Sequence, residues 1–213
     1  MDAIEQSLRR EIIATCLRMN REGINQGTSG NVSVRWHDGM LITPSGIPYD
    51  ELRDANIVFV TADGDHAAGE RPSSEWRFHL AILRSRPEVG AVVHTHSIHA
   101  TALAMRGMEI PAAHYMIAAA GGENIRCAPY ATFGTRELSD LAVAALDGRR
   151  ACLLANHGVI ATGPDLRKAL WLAGEVEVLA HQYILSLMLG GPTLLSSNDI
   201  AQAIERFRGY GFR

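Results

Sequence analysis

The chain has 213 residues, of which 47% are hydrophobic and 20% charged, and its formal net charge is −3. That length supports one domain with a sizeable core, and the balance is that of a soluble globular protein. The basic residues form no long run, which argues against a nucleic-acid or membrane-surface role.

The amino end, MDAIEQSLRREIIATCLRM, is charged and amphipathic, without the uninterrupted apolar core of a signal peptide. Its periodicity predicts a helix from about residue 2 to 22. Ile4, Leu8, Ile12 and Met19 recur on one face, and Gly23 stands where such a helix ends. Short strand-like runs follow at Val32 to Trp36, Met40 to Thr43 and Ile57 to Val60, separated by Gly, Asp and Pro turns. Ser73-Ser74 then precede Glu75-Trp76-Arg77-Phe78-His79, which reads as a helix opened by serine caps with an acid in its first turn.

Gly90 to His96 is a β-branched strand that closes on histidines. The longest uncharged run, Ile110 to Glu123, contains Pro111, His114 and Gly121-Gly122 and is too short and broken to span a bilayer. A second apolar strand, Ala151 to Ala155, ends in Asn156-His157-Gly158, and a long helix should occupy about Pro164 to Leu189. No repeat or linker interrupts the chain, so it reads as one domain over residues 1–213. This order of elements suggests an α/β fold, a mixed sheet with helices on its faces. Cys16, Cys127 and Cys152 are odd in number and far apart, as expected of reduced thiols in a cytoplasmic protein rather than a disulfide framework.

His94 and His96 are the sharpest local signal. Side chains at i and i+2 of a strand project from one face, close enough to share an ion, and neutral imidazole suits zinc and its first-row neighbours. Two strand-end histidines meeting solvent is the plainer alternative. His157 also follows an apolar strand, and Gly158 beside it permits a sharp turn and close backbone approach. Glu75 is the best carboxylate to complete an N/O ligand set, although a charge at a helix N-terminus serves a purely structural end equally well. His99 belongs to the following helix and is read as structural or as a support behind the ligands.

Two glycine–hydroxyl loops, Gly27-Thr28-Ser29-Gly30-Asn31 and Thr43-Pro44-Ser45-Gly46, join Ser73-Ser74 as elements able to hold an anion through N–H groups and hydroxyls. There is no GxxxxGK[ST] or GxGxxG string, so nucleotide binding is not indicated. Lys168 is the sole lysine and stands beside Arg167 at the start of the long helix, where a solvated charge is expected. A Schiff-base mechanism would need a lysine with a depressed pKa.

At these residues the chain resembles the class II aldolase/adducin family. The matching strings are NQGTSGNVSVR, DGMLITPSGIPYD, PSSEWRFH, VVHTHSIH, PAAHYMIAAAGG, CAPYATFGTREL, NHGVIA and KALWLAGEVEVLA, in order and over nearly the whole chain. The resemblance implies a three-layer α/β/α fold around a central mixed, largely antiparallel sheet. It implies that Glu75, His94, His96 and His157 bind Zn2+ or a related ion such as Mn2+ or Co2+. Glu75 would also be the acid/base, and Gly30, Asn31, Ser45, Gly46, Ser73 and Ser74 would hold the substrate's phosphate. Tyr115 matches a tyrosine that reaches a neighbouring subunit's site and donates a proton on the aldehyde side. Thr28 and Phe133 match aldehyde-pocket residues, and Phe207 and Tyr210 match a closing C-terminal segment, although Gly190 to Leu195 depart from the family pattern.

The implied assembly is a homotetramer with shared active sites. The implied reaction is reversible cleavage of a ketose 1-phosphate, foremost L-fuculose 1-phosphate, to dihydroxyacetone phosphate and L-lactaldehyde. Aldolases for 5-deoxyribulose 1-phosphate or methylthioribulose 1-phosphate, a pentulose-phosphate 4-epimerase, a dehydratase and a non-enzymatic adducin-type module are the alternatives.

Overall fold

In the computed structural model, which describes residues 2–209, one sheet contains seven strands in the order β3-β2-β1-β4-β7-β6-β5. They are β1 (Asn31–Trp36), β2 (Gly39–Ile42), β3 (Val58–Val60), β4 (Ala91–Thr95), β5 (Cys127–Ala128), β6 (Ala151–Leu154) and β7 (Gly158–Gly163). Only the β5–β6 pair is parallel; every other neighbour is antiparallel. The sheet is therefore mixed and largely antiparallel, as expected.

Alternation along the strands divides the core in two. One face presents Val32, Val34, Leu41, Ala91, Val93, Leu153, Val159 and Ala161 to α1 (Ala3–Arg21), α3 (Ile98–Ala104) and α5 (Leu166–Met188), and α6 (Ser197–Gly209) extends that apolar cluster by packing on the segment Tyr115–Ala120. The other presents Met40, Ile42, Val58, Val60, Val92, Cys152, Leu154 and Ile160 to α2 (Trp76–Ser85) and α4 (Arg136–Ala145). A strand's period of two makes these sets interleave residue by residue, which is how one sheet serves two helical layers.

The helix ends follow local chemistry. Asp2 accepts from Glu5 N at 2.8 Å to open α1, Thr135 accepts from Leu138 N at 3.2 Å to open α4, and Asp165 accepts from Lys168 N at 2.7 Å to open α5. The cap at Asp165 places Pro164 just outside the long helix rather than in its first turn. Gly23 takes φ +73 immediately beyond the Glu22 C-cap of α1, a left-handed turn that suits glycine.

Strand β7 and helices α4 and α6 were not anticipated as elements. β7 is buried along its whole length, so its residues GVIATG carry no polar alternation to announce a strand. None of the described helices is long and apolar enough to cross a membrane. The three cysteines are free thiols, and burial pushes Cys16 and Cys152 well above the usual thiol range.

Candidate metal centre

The antiparallel order brings the C-terminal end of β4 beside the β6–β7 turn. Asn156 adopts φ +56 in that turn, a left-handed conformation that asparagine tolerates, and the chain reverses so that His157 faces β4. Gly158 follows by necessity. A Cβ there would lie 2.4 Å from the Thr95 carbonyl oxygen and 2.9 Å from His96 Cδ2, so only glycine lets the hairpin approach the histidines. Gly30 plays the same part from the other side, where a Cβ would meet the His94 carbonyl oxygen at 2.6 Å.

His94, His96, His157 and Glu75 converge, with one ligand atom from each lying within 4.8 Å of all the others. The three imidazoles stand close to edge-on to one another, at 70° to 84°, with centroids 4.8 to 5.0 Å apart. His94 Nε2 lies 2.9 Å from His96 Nε2 and 3.1 Å from Glu75 Oε2, and His157 Nε2 lies 3.1 Å from Glu75 Oε1. Glu75 is the N-cap of α2 yet makes no capping hydrogen bond; its side chain turns to the histidines instead. The structural alternative for Glu75, a charge spent on the helix end, is thereby set aside.

Hydrogen bonding tests whether this cluster suits a cation. His94 Nδ1 lies 2.8 Å from the Val159 carbonyl, which can only accept, so Nδ1 carries a proton and Nε2 is left with its lone pair toward the cluster. Facing it are His96 Nε2, which donates or accepts according to its tautomer, and a carboxylate, which only accepts, and the buried Glu75 Oε1 has only His157 Nε2 beside it at 3.1 Å. A shared proton would satisfy one contact among these atoms. A divalent ion satisfies all four at once, and an N3O donor set is one that zinc and its neighbours accept.

The electrostatics agree. Burial alone would push the Glu75 carboxyl up, but positive charge and hydrogen bonds from the His94 and His157 side would outweigh it and hold the group well below the usual carboxylate range, a part that a bound cation can take over. Burial, with His94 and His157 adding to it, lowers His96 to about 3, so its imidazole is neutral and able to ligate.

Comparison with known proteins decides the family. The family model described as "Class II Aldolase and Adducin N-terminal domain" matches residues 10–184. The chain belongs to the class II aldolase and adducin family. It is 58% identical over 207 residues to the L-fuculose phosphate aldolase of Escherichia coli strain K12, covering 97% of this chain and 96% of that one. A 5-methylthioribulose-1-phosphate/5-deoxyribulose-1-phosphate aldolase of Rhodospirillum rubrum is 51% identical over 205 residues, covering 96% and 93%. A solved L-fuculose 1-phosphate aldolase superposes with a TM-score of 0.92 at 40% identity, covering 95% and 96%. As a class II aldolase the chain is a lyase that works with a divalent metal, and the Glu75–histidine cluster fits that ion.

The remaining expected residues fall into two groups. Asn31 sits opposite His94 across the β1–β4 pair, and its Nδ2 donates to Glu75 Oε2 at 3.0 Å. The segment before α2 lies against the loop after β2, with Ser73 N donating to Thr43 O and Ser45 N to Arg71 O, both at 2.9 Å. Gly30, Asn31, Ser45, Gly46, Ser73 and Ser74 therefore share the metal end of the sheet, with Ser45, Gly46 and Ser74 exposed. Exposed Thr28 lies on the loop that enters β1. Exposed Phe133 precedes Gly134, whose backbone packs on the Ser74 carbonyl.

Tyr115 and Phe207 form the second group, stacked on each other with centroids 6.4 Å apart. Phe207 lines a cavity with Thr162 and Gly163, at the end of β7 opposite Gly158, so the fold does not bring this pair to its own metal cluster. Tyr210 lies outside the described residues. His99 takes the structural one of its two expected roles: Glu177 accepts from its Nδ1 at 2.7 Å and from the Ala100 N–H at 3.0 Å, closing the start of α3.

Sequence reasoning missed one residue at the centre. His79 is fully buried on α2, its Nε2 2.5 Å from Asn31 Oδ1 and its Nδ1 2.8 Å from Ser33 Oγ. Its signal was available, because His79 follows Glu75 by four on one helix face and Ser33 follows Asn31 by two on one strand face.

Proposed function

We propose that the protein cleaves L-fuculose 1-phosphate reversibly to dihydroxyacetone phosphate and L-lactaldehyde, as one class II aldolase domain over residues 1–213. The observation carrying this reading is the joint one. A buried Glu75–His94–His96–His157 cluster stands among neutral phosphate loops in a chain 58% identical to an L-fuculose phosphate aldolase. Zn2+ is the ion proposed, with Mn2+ or Co2+ as substitutes.

The bound ion supplies Lewis-acid stabilisation of the negative charge that carbon–carbon cleavage leaves on the ketose fragment. Glu75 takes and returns the carbon-bound proton of dihydroxyacetone phosphate. Gly30, Asn31, Ser45, Gly46, Ser73 and Ser74 hold the phosphate through N–H groups and hydroxyls. Asn31 spends most of its side chain on Glu75 and His79, so its share is the smallest. Thr28 and Phe133 line the aldehyde pocket. Tyr115, with Phe207 and Tyr210, serves the site of a neighbouring copy in a homotetramer, and its phenol donates the proton to the aldehyde oxygen. Cytoplasmic L-fucose degradation is the corresponding role.

A second reading is favoured by the 51% identity to the Rhodospirillum rubrum aldolase: the aldehyde half comes from 5-methylthioribulose or 5-deoxyribulose 1-phosphate. The two share the phosphate and metal ends and differ only at the aldehyde. A panel of these ketose 1-phosphates, assayed for dihydroxyacetone phosphate release with and without added divalent ion, tests both. L-Fuculose 1-phosphate should give the highest kcat/KM, and release from none of them would overturn the aldolase assignment.

A further inference from the structure

One buried chain of polar groups runs behind the metal centre. Glu75 Oε2 accepts from Asn31 Nδ2 at 3.0 Å, and Asn31 Oδ1 stands 2.5 Å from His79 Nε2. His79 Nδ1 stands 2.8 Å from Ser33 Oγ. Every member is buried, with His79 and Ser33 at 0% exposure. The donors follow from the carboxylate, which can only accept. Asn31 must turn its NH2 toward Glu75, so its oxygen faces His79. Nε2 then carries the imidazole proton, and Nδ1 must accept from the Ser33 hydroxyl. The direction is fixed from Ser33 to Glu75.

This chain treats the two oxygens of Glu75 differently. Oε2 accepts from the Asn31 amide, whereas Oε1 faces His157 Nε2 at 3.1 Å. We propose that Ser33 and His79 are positioning residues that hold the Asn31 amide in place, so that Glu75 Oε2 stays anchored and the carboxylate keeps its aim at the cluster. A reversed amide would turn its oxygen on the carboxylate. The carboxylate opposes that reversal on one side, and His79 Nε2–H holds the amide oxygen on the other, with Ser33 Oγ orienting the ring. The inference rests on Glu75 being the acid/base, as read above.

Outer partners of metal ligands typically govern affinity or activity by about 10- to 100-fold. In zinc competition against a chelator, the apoprotein of Ser33→Ala should therefore bind about tenfold more weakly. His79→Leu should bind more weakly still. In the metal-loaded enzymes, solvent-proton exchange into dihydroxyacetone phosphate should fall by about tenfold or more, with KM within about twofold of the parent. His79→Gln keeps a donor for Asn31 and an acceptor for Ser33, so it should recover most of both losses. A residue that merely filled space would give the reverse order, because leucine suits an apolar wall beside Phe78 better than glutamine does.

Parental zinc affinity and exchange in both Ser33→Ala and His79→Leu would overturn the proposal, as would leucine outperforming glutamine. Failure of the underlying reading looks different: Glu75→Gln would then exchange the proton at the parental rate while the Ser33 and His79 variants still weakened zinc binding.

Discussion

Replacing Gly158 by alanine tests the tightest backbone approach at the centre. The added Cβ would sit 2.4 Å from the Thr95 carbonyl oxygen, 2.9 Å from His96 Cδ2 and 3.2 Å from His94 Cε1. Close carbon-to-oxygen contacts begin at about 3.3 Å, so the β6–β7 turn and β4 must part by roughly 0.9 Å. Overpacking of this kind costs about 1–3 kcal/mol. At this chain length each kcal/mol lowers Tm by about 2–4 °C, which puts the apoprotein roughly 4–8 °C below its parent for a 2 kcal/mol cost.

The seam that opens also carries the His94 Nδ1 bond to Val159 O, 2.8 Å long, which orients the ring. Metal affinity should therefore fall by about 10- to 100-fold, or about 1.4–2.7 kcal/mol. Calorimetry of the apoprotein reads the first effect and chelator competition the second. Gly174→Ala is the control: it lies within α5 with nothing within 4 Å of its Cβ, so it should melt at or above the parental temperature. A Gly158→Ala protein with parental Tm and metal affinity would refute the argument.

Glu75→Gln should keep most of its metal while losing proton exchange, whereas His94→Ala and His157→Ala should lose both, as metal analysis beside the exchange assay will report. Lys168→Ala should leave turnover within a few-fold, borohydride should trap no substrate adduct, and a strong chelator should abolish activity until a divalent ion is restored. Tyr115→Phe should depress cleavage but spare exchange in dihydroxyacetone phosphate. Reassembling it with Glu75→Gln subunits should raise activity above either parent, and no recovery in well-mixed oligomers would confine the site to one chain. For pH, burial and then His94 lower His79 to about 3, with Glu75 opposing, against an ordinary value near 6.5. The unfolded chain thus binds the extra proton between those values. Apoprotein stability should fall as pH drops through that window, by about 1.4 kcal/mol per pH unit from this residue, and urea titrations of His79→Gln should show a shallower slope.

The ligand set was legible because each member sits at an element end that sequence punctuates: His94 and His96 by strand periodicity, His157 by its glycine, Glu75 by the serines before it. The layers were legible for a related reason, since the apolar stripes of α1 and α5 are long. β7 escaped because burial on both faces erases alternation. The start of α4 falls inside the string CAPYATFGTREL, and α6 follows the stretch Gly190 to Leu195 that departs from the family pattern. His79 escaped for a different reason. It looks like an ordinary helix residue until the helix is laid on the sheet and its partners, Asn31 and Ser33, arrive from a strand far away in sequence.

The sheet order carries a further consequence for how the molecule assembles. Strands β1 and β2, and likewise β6 and β7, are neighbours in the chain and pair as hairpins, whereas β4 joins the two units through contacts such as His94 to Val159, 65 residues apart. Local hairpins close quickly; a long-range seam pays its loop entropy first and forms slowly. The candidate metal centre lies on that seam, with His94 on β4, His96 just past its end, His157 in the β6–β7 turn and Glu75 at the N-cap of α2. No half of the folding chain can hold the complete set, so ion capture reports arrival at the finished fold. The ion then retains what it has reported, because binding to the native state alone draws the equilibrium toward it.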